Sequence, residues 1–242
     1  MIRAIYIFIL SYFLLGAVGF YFINRKKSRE KARENQIKLL TYFIIINILF
    51  FSIVIHKEIF RWITVVIILP GIFEMVRLFR RSGYCHRTFF SFSLILMLLL
   101  SAGFYFFSGL DKGLILYSFL IISIFDSFSQ ITGQLWGRKK ILPSVSPNKT
   151  LGGVTGGALT ALGSSFLLHS LFEGLAAEKI VLTTGLLLFA FLGDIAASYY
   201  KRKYGVKDFS ALIPGHGGIL DRFDSLLAGG AWAALFVNLL NF

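Results

Sequence analysis

The chain alternates between long apolar runs and short polar segments, and this alternation restricts it to the membrane-protein class. Of its 242 residues, 56% are hydrophobic and 15% are charged, and the mean hydropathy is +0.75. Apolar runs of about 20 residues are long enough to cross a bilayer as α-helices. We therefore predict an all-α, polytopic integral membrane protein with about eight transmembrane helices. The predicted spans are 2–23, 39–55, 59–76, 89–108, 113–135, 151–172, 179–198 and 223–241.

Most of the positive charge lies in four of the segments that connect these runs. Of the 25 Lys and Arg residues, 20 fall in segments 24–38, 77–88, 136–150 and 199–222. Because basic loops are retained in the cytoplasm during insertion, we predict that these segments face the cytoplasm and that both termini lie outside. The net charge of +13 therefore reports topology, and no nucleic acid partner is expected. The chain is predicted to be one membrane domain over 1–242.

Residues 194–224 form a polar stretch between two apolar runs and contain the groups that a metal site needs. Asp194 closes the first run, and Asp221 and Asp224 are spaced so that both carboxylates share one face of a helix. Clustered carboxylates repel one another unless a cation or protons neutralise them. Oxygen ligands of this kind are those that Mg²⁺ prefers. We predict that Asp194, Asp221 and Asp224 hold Mg²⁺ between them.

The same stretch also supplies groups that bind phosphate. Gly217 and Gly218 let the backbone come close to a ligand just before a helix N-terminus, which attracts anions. A metal, basic groups and open backbone together favour phosphoryl or nucleotidyl transfer. The alternative is a solvated loop in which the aspartates pair with nearby basic side chains. The positive charge that phosphates require comes from Lys201, Arg202, Lys207 and Arg222.

A second polar site begins at Asp126, inside the fifth predicted span, where a carboxylate is a candidate functional group. Its polar neighbours also suit a purely structural role in hydrogen bonding between helices. The loop that follows is fixed by prolines and carries four side chains that can reach a phosphate or a base: Ser146, Asn148, Lys149 and Thr150. The next span opens with glycines that favour close helix packing, namely Gly152, Gly153, Gly156 and Gly157.

The first 110 residues contain spans without a recognised motif. Pro70 and Gly71 are expected to interrupt the third span. Glu74 lies near the end of that span, where an unpaired carboxylate is costly. We expect it to pair with Arg77 or Arg80 in the adjoining basic segment.

Both polar sites resemble the phosphatidate cytidylyltransferases (CDP-diacylglycerol synthases), and the resemblance spans roughly residues 120–242. The chain is similar to that family in two motifs. The first is Ser146-Pro147-x-Lys149-Thr150. The second is Ser198-x-x-Lys201-Arg202-x4-Lys207-Asp208-x-Ser210-x2-Ile213-Pro214-x-His216-Gly217-Gly218-Ile219-x-Asp221-Arg222-Phe223-Asp224. The chain departs from the family at Tyr200, where members usually have an aliphatic residue or Phe. It has Ser129-Gln130 in place of Ala-Tyr and Gly152 in place of an acid.

The resemblance implies transfer of a cytidylyl group from CTP to phosphatidate or a related lipid phosphate, giving CDP-diacylglycerol and diphosphate. It also implies an active site on the cytoplasmic face of a bacterial inner membrane, Mg²⁺ often accompanied by K⁺, and often a homodimer. The implied catalytic residues are Asp194, Asp221, Lys201, Arg202 and Lys207. The implied substrate-binding residues are Asp126, Ser146, Asn148, Lys149, Thr150, Ser198, Asp208, His216, Gly217, Gly218 and Arg222.

Three other functions agree with part of the pattern. A CTP-dependent transferase or kinase could act on another lipid phosphate or on a polyprenol-type lipid. A CDP-alcohol phosphatidyltransferase would resemble Asp-Gly-x2-Ala-Arg, an element that this chain lacks. An ion-coupled transporter could use Asp126 and Asp194, but the spans show no inverted pair of broken helices.

Overall fold

Eight α-helices and one β-hairpin make up the parts of the chain that the computed structural model describes, residues 2–25, 27–213 and 217–240. A 3₁₀ turn, His169–Leu171, follows the sixth helix. In chain order the elements are α1 (Ile2–Asn24), α2 (Arg29–Ile55), α3 (Lys57–Arg81), α4 (Arg87–Phe107), α5 (Lys112–Trp136), β1 (Lys140–Leu142), β2 (Ser146–Thr150), α6 (Leu151–Leu167), α7 (Ala176–Lys203) and α8 (Leu220–Leu240).

The prediction of an all-α polytopic membrane protein is confirmed. Within the described residues, six helices are long and apolar enough to cross a membrane, namely α1 to α5 and α7. Helix α6 is apolar but has only 17 residues. The count of eight spans therefore stays a prediction, although each predicted span coincides with one of the eight helices.

Several helices extend beyond the apolar runs that predicted them. Helix α2 begins ten residues earlier than its run, at Arg29, after the N-cap Ser28. Helix α7 continues past its run to Lys203, so Asp194 lies inside a helix rather than at its end. Helix α3 runs without a break through Pro70, contrary to the expected interruption. Hydropathy marks only the apolar part of a helix, whereas Lys, Arg and Glu continue a helix well in water.

Helix α5 lies at the centre of the bundle, and 67% of the residues in its most apolar stretch are buried. It packs closely on α6 because α6 presents glycines to it. A Cβ at Gly153 would lie 2.6 Å from the carbonyl oxygen of Ser129, and one at Gly157 would lie 2.1 Å from its hydroxyl. The predicted packing role is therefore confirmed for Gly153 and Gly157, and also for Gly156, where a Cβ would lie 2.5 Å from the Thr132 hydroxyl.

The four basic segments lie at one end of the bundle, as an alternating arrangement of spans requires. The segment predicted as a loop before α6 forms the hairpin β1–β2, in which Lys140 pairs with Thr150. Which side of the membrane this end faces stays a prediction. The hydrogen bonds that hold the end together include Lys27 Nζ to Gln134 Oε1 (2.7 Å), Arg202 Nε to Val145 O (3.1 Å) and Arg77 Nη2 to Phe209 O (2.7 Å).

Candidate active site

A cavity of about 370 Å³ opens between α1, α2, α5, α7, α8 and the β-hairpin. Its two ends differ in chemistry. One end is lined by charged and polar side chains, and the other by aliphatic and aromatic side chains of α1, α2 and α5. The charged lining residues at the polar end include Asp126, Lys149, Asp194, Lys201, Asp221, Arg222 and Asp224. Ser146 and Asn148 line it as well, and their predicted contact with a substrate stays a prediction.

Lys149 reaches from the hairpin to α7. Its Nζ lies 2.7 Å from Asp194 Oδ2, and it lies 4.5 Å from the centre of the Phe191 ring. The side chains of Lys149 and Asp194 are 19% and 32% exposed. Ser198, one turn further along α7, donates to Asp194 Oδ1 at 3.3 Å. The predicted substrate-binding residues Lys149 and Ser198 therefore contact the carboxylate of Asp194.

Lys201 pairs with Asp221 at the base of the same end. The Nζ to Oδ1 distance is 2.5 Å, and the two side chains are 10% and 1% exposed. The second oxygen of Asp221 accepts the backbone N–H groups of Phe209 and Gly218, both at 2.8 Å. Asp221 thus joins α7, the α7–α8 loop (residues 204–219) and the first turn of α8.

Three further charges surround these pairs. The carboxylate of Asp126 interacts electrostatically with Asp194, Lys149 and Arg222, and that of Asp224 interacts with Asp194 and Asp126. The folding of α8 back along α7 brings Asp224 close to α7, since a Cβ at Gly193 would lie 2.7 Å from the carbonyl oxygen of Asp224. The sequence therefore identified residues that do come together in space.

Some predicted site residues lie elsewhere. Arg202 is exposed and bonds to the carbonyl oxygens of Val145 and Val206, because it lies about 100° around α7 from Lys201. Lys207 and Asp208 are also exposed, and the structure does not bring any of these three side chains to the cavity.

Thr150 and His216 are two further residues of the predicted substrate-binding set. Thr150 lines the cavity and also caps α6, since its hydroxyl accepts the N–H of Gly153 at 3.1 Å. His216 lies outside the described residues.

The two glycines before α8 make room for carboxylates of the chain itself. A Cβ at Gly217, where φ is +86°, would lie 2.7 Å from Asp221 Oδ2, and one at Gly218 would lie 2.4 Å from Glu74 Oε1. Their predicted contact with a substrate anion stays a prediction. The expected pairing of Glu74 with Arg77 or Arg80 is wrong, because its carboxylate turns inward to the α7–α8 loop.

The sequence of the chain is similar to a known protein family and to individual proteins. The model of the cytidylyltransferase family matches residues 105–240. The chain belongs to the cytidylyltransferase family. A phosphatidate cytidylyltransferase of Staphylococcus epidermidis is 34% identical over 211 residues, which cover 82% of this chain and 80% of that protein. A phosphatidate cytidylyltransferase of Haemophilus influenzae is 40% identical over 129 residues, which cover 51% of this chain and only 45% of that protein.

As a member of this family the chain is a nucleotidyltransferase, and the matched region carries the charged end of its cavity. The apolar end comes partly from α5 and partly from α1 and α2, which lie in the region before residue 105 that sequence reasoning left without a role. Tyr42 of α2 was missed there, although it lines the cavity and donates to the carbonyl oxygen of Ser123 at 3.2 Å. No local pattern marks it, because its partner is 81 residues away. The apolar lining from α1 and α2 includes Phe8, Phe13, Ile45, Ile46 and Leu49.

Proposed function

We propose that this chain is a phosphatidate cytidylyltransferase, which joins a lipid phosphate to the cytidylyl group of CTP and releases diphosphate. One observation carries the proposal: a single cavity has a charged end and an apolar end. Phosphatidate has the same two parts, a phosphate monoester and hydrocarbon chains. The triphosphate of CTP suits the basic side chains of the charged end, and the acyl chains suit the apolar end between α1, α2 and α5.

The reaction forms one bond and breaks one. An oxygen of the lipid phosphate bonds to the α-phosphorus of CTP, and the bond from that phosphorus to the departing diphosphate oxygen breaks. The attacking oxygen is already anionic, so it needs little help from a general base. The task of the protein is to bring two anions together and to hold them in line. Lys149, Lys201 and Arg222 supply positive charge at the cavity for this purpose.

Lys149 is the basic group best placed to exchange its partner for a phosphate. Its ion pair with Asp194 is partly exposed at the cavity wall, so a phosphate of CTP or of the lipid can compete for the ammonium group. Lys201 is held more firmly, since Asp221 is almost completely buried. We assign phosphate binding to Lys149 and the support of Asp221 to Lys201.

The oxygen donors of the cavity fit Mg²⁺ that binds together with a phosphate. Asp194, Asp221 and Asp224 line one cavity, yet within the described part of the chain no three such groups are arranged to hold an ion by themselves. Mg²⁺ usually takes one or two carboxylates and completes its shell with water and substrate phosphates. We propose these three aspartates as the residues that would hold it. When bound, Mg²⁺ would neutralise charge that develops on the phosphoryl oxygens.

The decisive experiment measures CTP turnover by the purified protein in detergent. Radiolabelled CTP is supplied with phosphatidate, polyprenyl phosphate, dolichol-type alcohol or no lipid, each with and without Mg²⁺ and K⁺. We expect a labelled CDP-lipid and diphosphate only with phosphatidate and Mg²⁺. Product with another acceptor alone would contradict the proposed substrate. Substrate flux across sealed vesicles without CTP consumption would instead support a transporter.

We also propose that the charged end of the cavity faces the cytoplasm. The support is the concentration of Lys and Arg at that end of the bundle. In a Cys85→Ser background, cysteines introduced at the exposed positions Lys27, Lys140 and Lys203 should react with a membrane-impermeant thiol reagent only from the cytoplasmic side. Labelling of Lys203→Cys from outside would contradict the orientation.

A further inference from the structure

Glu74 of α3 has its carboxylate buried inside the bundle and directed at the α7–α8 loop. The residue is only 1% exposed. Its Oε1 accepts the hydroxyl of Ser210 at 2.5 Å and the N–H of Ile219 at 3.1 Å, and its Oε2 accepts the N–H of Leu220 at 2.9 Å. A helix from the first half of the chain therefore binds both sides of a loop more than 130 residues away.

The loop is built to admit this carboxylate. Gly218 leaves open the space that a side chain would fill, because a Cβ there would lie 2.4 Å from Oε1 of Glu74. Two further hydrogen bonds join α3 to this region, one to the loop and one to the end of α7. Arg77 Nη2 donates to the carbonyl oxygen of Phe209 in the loop at 2.7 Å. The hydroxyl of Tyr200, near the end of α7, donates to the carbonyl oxygen of Met75 at 2.9 Å.

Two carboxylates share the N–H groups at the start of α8. Asp221 accepts from Gly218, and Glu74 accepts from the next two residues, Ile219 and Leu220. The residue that follows is Asp221 itself. The hydrogen bonds to Glu74 therefore fix the position of the first turn of α8. The direction of the Asp221 side chain depends on that turn.

We propose that Glu74 is a positioning residue for nucleotidyl transfer: by binding Ser210 and the first N–H groups of α8, it orients Asp221 at the charged end of the cavity. The inference rests on the proposed function for its effect on catalysis. Its geometric part, the fixing of the first turn of α8, is independent of the substrate. A misplacement of catalytic groups by about 1 Å costs up to 10²-fold in rate.

The test compares Glu74→Gln with the matched control Glu58→Gln on the same helix. Gln has nearly the shape of Glu, but in either orientation its amide turns an N–H toward the backbone N–H of Ile219 or Leu220, which cannot accept it. We expect kcat to fall about 10- to 100-fold, with KM for CTP and for lipid within about twofold. Glu58 is 53% exposed and pairs with Arg61 at the other end of α3, so Glu58→Gln should leave kcat unchanged.

Hydrogen exchange gives a readout that does not depend on activity. The backbone N–H groups of residues 217–221 should exchange faster in Glu74→Gln, while those of α4 and α6 stay as protected as in the wild type. Ser210→Ala removes one of the three bonds and leaves the carboxylate in place, so it should cause a smaller fall in kcat. Adding Ser210→Ala to Glu74→Gln should cause little further loss.

The possible outcomes distinguish a failure of this inference from a failure of the proposed function. Wild-type kcat and unchanged exchange in Glu74→Gln would overturn the inference. It would also be overturned if kcat per folded molecule stayed normal and only the yield or thermal stability fell. If Glu74→Gln does not fold, a normal kcat and normal exchange in Ser210→Ala would overturn it. If the wild type consumes no CTP with any lipid phosphate, the proposed function fails, whereas the exchange result still decides the placement of α8.

Discussion

The charged end of the cavity contains two Lys–Asp pairs that look alike in sequence but differ in their surroundings. Lys149 and Asp194 are 2.7 Å apart with side chains 19% and 32% exposed. Lys201 and Asp221 are 2.5 Å apart with side chains 10% and 1% exposed. Among the described residues, Asp194 has one further hydrogen bond, from Ser198, whereas Asp221 accepts two backbone N–H groups in addition to its lysine.

This difference assigns the pairs to different tasks. A partly exposed ion pair contributes only about 0–1 kcal/mol, because water screens it and competes for both partners. Breaking a buried pair costs roughly 3–5 kcal/mol, because it leaves a charge without compensation. The Lys201–Asp221 pair is therefore part of the architecture of the site. The Lys149–Asp194 pair can open to a phosphate at little cost in stability.

The largest effect is expected for Asp221→Asn. This change removes the carboxylate that is paired with the buried ammonium group of Lys201, and it weakens the proposed metal site. We expect a loss on the order of 10²–10³ in kcat and of about 3–5 kcal/mol in the free energy of unfolding. Mg²⁺-dependent CTP turnover and denaturant unfolding in detergent measure the two effects. Glu173→Gln, at an exposed carboxylate, is the control. Wild-type turnover by Asp221→Asn at low Mg²⁺ would contradict the metal assignment for this residue.

A large loss of activity without a loss of stability is expected for Lys149→Ala and Asp194→Asn. Both residues line the cavity, so we expect each change to lower kcat/KM by a factor on the order of 10². Because their pair is partly exposed, the free energy of unfolding should change by less than about 1 kcal/mol. CTP turnover and denaturant unfolding in detergent measure the activity and the stability of both variants. Near-normal kcat and KM in Lys149→Ala would show that the hairpin serves only as a connector.

The sequence predicted the groups at the site better than it predicted their partners. Apolar runs placed every helix, and the spacing of Asp221 and Asp224 placed both on α8. The partners of Lys149 and Glu74 were not predictable, because Asp194 and Ser210 come from distant elements that only packing brings near. Helix ends were wrong where basic residues continue a helix beyond its apolar part, as in α2 and α7. The hairpin was missed because prolines in its segment indicated a loop.

Double-mutant cycles on stability provide a direct comparison of the pairs. The cycle of Lys201→Met with Asp221→Asn should give a coupling free energy well above that of Lys149→Met with Asp194→Asn. The reason is that the Lys201–Asp221 pair is desolvated and hydrogen-bonded. The coupling free energy of the Lys149–Asp194 pair should stay below about 1 kcal/mol. Unfolding of the four single and two double variants in one detergent supplies both values. Equal coupling would mean that burial does not distinguish the pairs.

The smallest effect is expected when Lys149 is replaced by arginine. A guanidinium group can bind both a carboxylate and a phosphate. At position 149 it has room at the cavity wall and can stack on the ring of Phe191, which lies 4.5 Å from the ammonium group. We therefore expect Lys149→Arg to stay within about tenfold of wild-type kcat/KM. Lys201→Arg should lose more, because a larger group must fit around a buried carboxylate and overpacking costs about 1–3 kcal/mol. If Lys149→Arg were as inactive as Lys149→Ala while Lys201→Arg stayed active, the tasks of the two pairs would have to be exchanged.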